Sequence, residues 1–358
     1  MPRVVGIDPG THSFDVCGLA DGEAFLERSL PSSLVTAHPE TLVEVLLDAG
    51  PLNLIAGPSG YGLPCLPIDS VGDRELRLML LPSGSQESPL KGLSRLVTSL
   101  REARLPVVFL PGAIHLPTVP ARRKLNRVDI GTADKVCSAA YAIDDESRRL
   151  KVPWGETAFV LVELGYAFTA VLSVAAGRIV SGQGGSSGPM GYLAAGALDG
   201  EAACLLGRVA KDTLFSGGAA FVAGAPEAAP AELLARDDDV ALMARAALVE
   251  GVARAVAAEL AVAPAPREIL LSGRLVRLDG FRDALAAALS RFAPVQRLHS
   301  GAVKEAARGA ALIADGLAGG SYRGLVEAMR LREARGTAVD HLYMAGANEA
   351  KEWAANGH

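Results

Sequence analysis

Short apolar runs that stop at a carboxylate or a glycine alternate along this chain with stretches of helical spacing. The first run, Arg3-Val-Val-Gly-Ile-Asp8, leads through the turn Pro9-Gly10-Thr11 into Phe14 to Leu19, which reads as a returning strand. Asp21-Gly22 predicts a tight hairpin, since these residue types tolerate the positive φ that such turns need, and Glu23 to Leu30 supplies a third strand. Leu42 to Leu47 and Leu90 to Leu105 repeat their apolar residues at helical intervals. Leu52 to Ala56 and Val107 to Leu110 are continuous enough to be buried strands. Strands alternating with helices predict an α/β sheet.

The opening pattern then recurs. Ala158-Phe-Val-Leu-Val-Glu163 is again an apolar run ending in a carboxylate; Ala167 to Ala175 returns, Gly177 turns, and Arg178 to Ser181 begins a third strand. A shift of 155 residues carries Asp8 onto Glu163, Gly10 onto Gly165 and Gly22 onto Gly177. Such an offset inside an α/β chain predicts a duplicated β-meander. Downstream, the pattern predicts a helix from Leu198 toward Val209, a long helix from Ala231 to about Ala261, a strand at Glu268 to Ser272, and helices at Phe281 to Leu289 and Ala302 to Ala318. We therefore expect two lobes, residues 1–152 and 153–330, and a tail or docked helix over 331–358.

Composition narrows the class. Half of the 358 residues are hydrophobic and 21% are charged, as in folded globular chains. The net charge of -5 argues against a general nucleic-acid binder or a membrane-surface protein. The most apolar stretch, Ala158 to Ala176, is interrupted by Glu163 and Gly165, which is too broken for a membrane span. Asp8 cuts the first apolar run short, so no signal peptide is expected. Cys17, Cys65, Cys137 and Cys204 lie far apart without a CxxC pair and read as buried free thiols in a reducing cytoplasm.

Five constellations could carry chemistry. In Asp8-Pro-Gly10-Thr11-His12-Ser13, small turn residues allow backbone N–H groups to approach a phosphate chain, the Thr11 and Ser13 hydroxyls can donate, and Asp8 can hold Mg2+ through water. The same residues also suit a plain β-turn, or a nuclease in which Asp8 ligates metal directly. Glu163-Leu-Gly165 would face that hairpin from the second lobe. Glu268-Ile-Leu-Leu-Ser272-Gly273-Arg274 ends a buried strand beside a helix that includes Gly309, suited to a flat base or to tight helix packing. Arg122 to Lys135 is the densest polar run of the first half: Asn126 and Arg127 precede Thr132, a candidate N-cap, and Asp134 and Lys135 could hold metal, water or phosphate. Gly182 to Tyr192 is a glycine-rich loop with Gly185 and donors Ser186 and Ser187. Ser59, in the loop after a buried strand, is expected on the substrate side.

The order of these segments resembles the ASKHA superfamily of acetate and sugar kinases, Hsp70 and actin. Within it, Val4 to Ser13, Asn126 to Lys135 and Leu270 to Arg274 resemble the DUF1464 group of predicted butyrate kinases. The resemblance implies a two-lobed, actin-like ATPase (ribonuclease H-like) α/β fold with an interlobe cleft. It further implies ATP against Gly10, Thr11, His12, Ser13, Gly165, Ser272, Gly273, Arg274 and Gly309, Mg2+ at Asp8, and catalytic roles for Asp8, Arg127 and Asp134. A small carboxylate would meet Ser59, Asn126, Gly185 and Ser186, with Arg127 neutralising it or the moving phosphoryl group. A homodimer is the assembly that the resemblance implies. The expected function is an ATP- and Mg2+-dependent phosphotransferase making an acyl phosphate. A nucleotide-dependent switch without a small-molecule acceptor is the alternative, and a ribonuclease-H-like nuclease comes third.

Overall fold

The computed structural model describes residues 2–82, 87–207, 209–263, 265–299 and 301–356. Two sheets form. The first holds β1 (Arg3–Pro9), β2 (Ser13–Ala20), β3 (Glu23–Pro31), β4 (Leu54–Pro58), β5 (Leu66–Pro67) and β6 (Val107–Leu110) in the order β3-β2-β1-β4-β6-β5. The second holds β7 (Ala158–Leu164), β8 (Thr169–Ala175), β9 (Arg178–Gln183), β10 (Glu268–Ser272) and β11 (Val295–Arg297) in the order β11-β10-β7-β8-β9. In each, an antiparallel meander is extended on one side by parallel strands, and in the first sheet the short β5 adds antiparallel to β6 at the edge. This is the two-lobed, actin-like ATPase architecture.

The 155-residue offset runs through all three meander strands. The hairpin turns Asp21-Gly22 (φ 55° and 82°) and Ala176-Gly177 (φ 51° and 67°) have matching positive φ values. The register shifts between Gly18 and Leu19 in one sheet and between Ser173 and Val174 in the other, again 155 residues apart. Bulges of this kind add local twist, so the two meanders curve alike.

Strand alternation sorts side chains into three cores. Val4, Cys17 and Ala56 of the first sheet and Phe159, Leu161 and Leu172 of the second share a central core with the helices Ala133–Leu150 and Glu305–Leu317. Val5, Ile7 and Ile55 face outward, under the helices Glu40–Asp48 and Asp73–Leu80. Val160, Val162 and Ile269 face outward on the other side, under Asp239–Leu260 and Asp279–Leu289. Asp8 and Glu163 continue the central-facing alternation, so both carboxylates close the central layer at its open end.

The two central helices pack backbone to backbone. A Cβ on Gly309 would come within 1.8 Å of the Cys137 carbonyl oxygen, and one on Gly6 within 2.1 Å of the Ala311 nitrogen. Gly309 is therefore the crossing point of the helices, not an adenosine contact.

Other expectations shift in detail. The long helix expected over 231–261 is two, Pro230–Ala235 and Asp239–Leu260, because Asp238 accepts from the Ala241 N–H at 3.1 Å and starts the second one. The helix expected toward Val209 is the short Gly200–Leu206, and residue 208 lies outside the described residues. Cys17 and Cys137 are buried, Cys65 is half-buried, and Cys204 is exposed. After Met329 the chain returns to the first sheet: Asn126 Oδ1 accepts from the Tyr343 N–H at 2.8 Å, and Val339 and Ala354 join its outer core. The helix Ala347–Asn356 docks on Asp73–Leu80, and residues 357–358 lie outside the described residues. No helix among the described residues is long and apolar enough to cross a membrane.

Candidate active site

A cavity of about 300 Å³ opens where the carboxyl ends of β1 and β7 meet the amino ends of Ala133–Leu150 and Glu305–Leu317. Both helices begin at this space with their positive dipole ends, which favours anions. Asp8, Gly10, Thr11, His12 and Ser13 line it from the first hairpin; Glu163, Gly165, Tyr166 and Phe168 line it from the second. Gly273 and Arg274 come from the end of β10, and Asp134, Lys135, Lys304 and Glu305 from the helix starts.

The hairpins are built alike. The Gly10 N–H donates to the Ser13 carbonyl at 3.0 Å, and the Gly165 N–H donates to the Phe168 carbonyl at 2.9 Å. These two amides close their own turns, so Gly10 and Gly165 shape the hairpins rather than donate to a ligand. His12 and Tyr166 face each other across the cavity with ring centroids 5.7 Å apart.

Two lysines hold the acidic layer together. Asp8 and Asp15 sit opposite one another on β1 and β2, an arrangement of like charges that is unfavourable alone. Lys304 pairs with both, at 3.1 Å for Asp15, and donates to the Ser13 carbonyl at 3.2 Å. Arg274 reaches across to the Ser13 hydroxyl at 3.3 Å, joining the β10 loop to the first hairpin. From the Ala133–Leu150 helix, Lys135 bridges Asp134 at 2.5 Å and reaches Glu163 of the second sheet at 2.8 Å. Glu163 Oε2 is buried without a hydrogen-bond partner among the described residues.

Burial sets the proton affinities, and the lysines then correct them. It raises the Asp8 carboxyl above the ordinary range, with Lys304 opposing, and raises Glu163 against Lys135. Burial also pushes Asp134 upward, but the adjacent Lys135 ammonium outweighs it and holds that carboxyl below its usual value. For Lys135 and Lys304 burial disfavours the charge, and the facing carboxylates more than restore it, so both stay protonated.

The polar run before Ala133 divides. Asp129 points inward, buried, accepting from the Gly131 N–H at 3.0 Å and the Ser186 N–H at 3.1 Å. Its carboxylate lies where a Gly184 Cβ would stand, with Oδ1 1.7 Å from that position, so only glycine lets the 182–192 loop close on it. Ser187 donates to the Asp129 carbonyl, and Gly185 and Ser186 line the cavity.

Arg127, by contrast, is exposed on the outer surface, which removes it from the cavity where it was expected. Asn126, at φ 55°, turns the chain outward there, and its side chain ties the C-terminal segment. Arg123 and Lys124 are spent on carbonyls: Arg123 donates to Val180 at 2.6 Å and Lys124 to Leu116 at 2.8 Å. Ser59 is buried, donating to the Leu110 carbonyl at 3.0 Å, and its neighbours Gly60 and Tyr61 line the cavity instead. Ser272 is buried behind Gly273, outside the lining. Among the lining residues, Lys304 and Lys211 carried no expectation, because each comes from a segment far along the chain from the first hairpin.

The comparisons with known proteins agree with this architecture. A family model described as "Protein of unknown function (DUF1464)" matches residues 6–344. A propionate kinase from Francisella tularensis subsp. tularensis SCHU S4 superposes with a TM-score of 0.65 at 12% identity, covering 86% of this chain and 99% of that one. Acetate kinase from Entamoeba histolytica gives 0.59 at 11% identity, covering 81% and 86%. Acetate kinase from Porphyromonas gingivalis gives 0.57 at 13%, covering 82% and 88%. At these identities the likeness establishes the fold. The chain matches no curated protein.

Proposed function

The chain belongs to the DUF1464 family within the ASKHA superfamily, and we propose that it is a phosphotransferase moving the γ-phosphoryl group of ATP, with Mg2+, to a small carboxylate. One observation carries this reading: two helix amino ends, Lys135, Lys304 and Arg274 converge on one cavity between the matched carboxylates Asp8 and Glu163.

The chemistry asks little proton transfer of the protein. A carboxylate oxygen of the acceptor forms a bond to the γ-phosphorus while the bond from that phosphorus to the β,γ-bridging oxygen breaks. The bonding pair leaves with ADP, and no proton is gained or lost, because the acceptor is already ionised at neutral pH. Catalysis then rests on positioning and charge neutralisation. The Thr11 hydroxyl, the tip of the first hairpin and Arg274 hold phosphate oxygens from one side; Lys135 and the second hairpin meet them from the other. Lys304 keeps Asp8 and Asp15 from repelling the incoming phosphates.

The acidic layer suits Mg2+. Asp8, Asp15, Asp134 and Glu163 outnumber the two lysines that bridge them, and the buried Glu163 Oε2 atom has no hydrogen-bond partner among the described residues. Mg2+ keeps several waters and needs only one or two carboxylates besides phosphate oxygens; Asp8 and Glu163 would supply them. When bound, the ion neutralises charge on the transferring group.

The similarity to propionate and acetate kinases supports a carboxylate acceptor over an alcohol. The net charge of -5 disfavours a nuclease, which must hold a polyanion. The test is incubation with Mg-ATP and a panel of short-chain acids, trapping acyl phosphates with hydroxylamine. Hydroxamate from at least one acid is expected. Tight ATP binding without hydroxamate from any acid overturns the kinase reading and favours a nucleotide switch.

A further inference from the structure

The Asp239–Leu260 helix, 22 residues long, is apolar on every side. A surface helix ordinarily turns polar residues to water, and one that is apolar all round is covered all round. One face is covered: Ala241, Ala244, Leu248, Val252 and Val256 are buried in the outer core of the second sheet. The opposite face is open. Met243 is 55% exposed, and Ala246, Ala247, Ala257 and Ala258 are exposed beside it. Between Met243 and Ala258 that face carries two charges, Glu250 and Arg254.

These residues have an order that solvent does not require. Positions 243, 247, 250, 254 and 257 advance by alternating steps of four and three, the interval at which a helix presents a seam to a second helix. The seam is also self-complementary about the level of Val252: counting outward, Glu250 answers Arg254, Ala247 answers Ala257, and Ala246 answers Ala258. Two copies laid antiparallel across this face put each Glu250 against the other's Arg254, twice by symmetry. Alanine meets alanine on either side, and such small side chains let helix axes approach closely. A parallel pair would instead oppose like charges.

The two charges are not used within the chain. Acidic and basic residues four apart on a helix can pair with each other, as Asp145 with Arg149 and Arg323 with Glu327 do here. Glu250 and Arg254 do not, and neither has an ion-pair or hydrogen-bond partner among the described residues.

We propose that the open face of Asp239–Leu260 is a self-association surface, and that its occupant is a second copy of this chain, antiparallel about Val252. The apolar strip supplies the buried contact, and the crossed charge pairs set direction and register. The helix contributes no lining residue to the candidate active site, so the surface stands apart from the kinase reading.

Sedimentation velocity of the full chain over a concentration series tests this, and a dimer is expected. Glu250→Arg sets arginine against Arg254 at both symmetric contacts, and Arg254→Glu sets glutamate against Glu250. Each should raise the dimer dissociation constant at least about tenfold. The double exchange, Glu250→Arg with Arg254→Glu, restores opposite charges and should return the constant to within about threefold of wild type. Both side chains are exposed, and circular dichroism checks that each variant keeps its fold. A wild-type chain that stays monomeric throughout overturns the surface. A dimer that either single variant leaves intact places the interface elsewhere, and a double variant that stays dissociated overturns the antiparallel register.

Discussion

Gly309→Ala should be among the most damaging single-methyl additions in this protein. Gly309 lies in the Glu305–Leu317 helix, where alanine is intrinsically better than glycine by about 1 kcal/mol. The new methyl, however, would sit 1.8 Å from the Cys137 carbonyl oxygen and 2.6 Å from its carbon. Both are backbone atoms of the facing helix, so no rotamer change relieves the contact. The helices must part by more than about 1 Å, and overpacking of this order costs about 3 kcal/mol. The gap would spread, because the same helix packs its other side on Gly6 of β1. Gly92→Ala is the matched control: it is also helical, but its methyl would meet only the Thr36 Cγ2 at an ordinary 3.7 Å. Urea unfolding followed by circular dichroism should show the Gly309→Ala midpoint well below wild type and the Gly92→Ala midpoint at or above it. A Gly309→Ala midpoint equal to wild type would refute the backbone-to-backbone crossing. Since the two helices begin at Asp134–Lys135 and Lys304–Glu305, Mg-ATP binding should weaken along with stability.

Further outcomes follow from single residues. Arg127→Ala, on the outer surface, should leave kcat/KM within about twofold in the hydroxamate assay. Lys304→Met leaves Asp8 and Asp15 facing each other without their shared cation, and should lower kcat by at least about 100-fold; removal of Mg2+ by EDTA should abolish turnover in the wild type. His115 is buried, with Nδ1 3.2 Å from the Gly112 carbonyl and its pKa lowered by burial to about 4. The unfolded chain therefore binds a proton near pH 6.5 that the folded chain refuses, and stability is lost as pH falls from 6.5 toward 4, by about 3 kcal/mol in all. His115→Gln should remove that part of the acid slope in urea midpoints measured at pH 7 and pH 4.5; an unchanged slope would show that His115 is not the group responsible.

The legible part of this protein was local. Asp21-Gly22 and Gly177 announce hairpins because turn backbone depends on adjacent residues, and apolar runs ending at Asp8 and Glu163 announce strands for the same reason. Their common offset therefore survived into the structure, down to the matching bulges. What was hidden depends on distant pairing. Lys304 lies far along the chain from Asp8, in a segment whose pattern says only that a helix follows. Arg127 and Lys135 share one polar run and looked equally suited to the site, yet the turn at Asn126 leaves Arg127 on the outer surface and the helix start at Ala133 puts Lys135, buried, in the cavity. Gly309 misled for a related reason: a glycine permits close approach, but only the fold says to what. Charge type was thus readable where charge partner was not. The cavity takes its character from the partners: Lys135 and Lys304 each tie a helix start to a strand end, at the point where the two sheets' carboxylates come together.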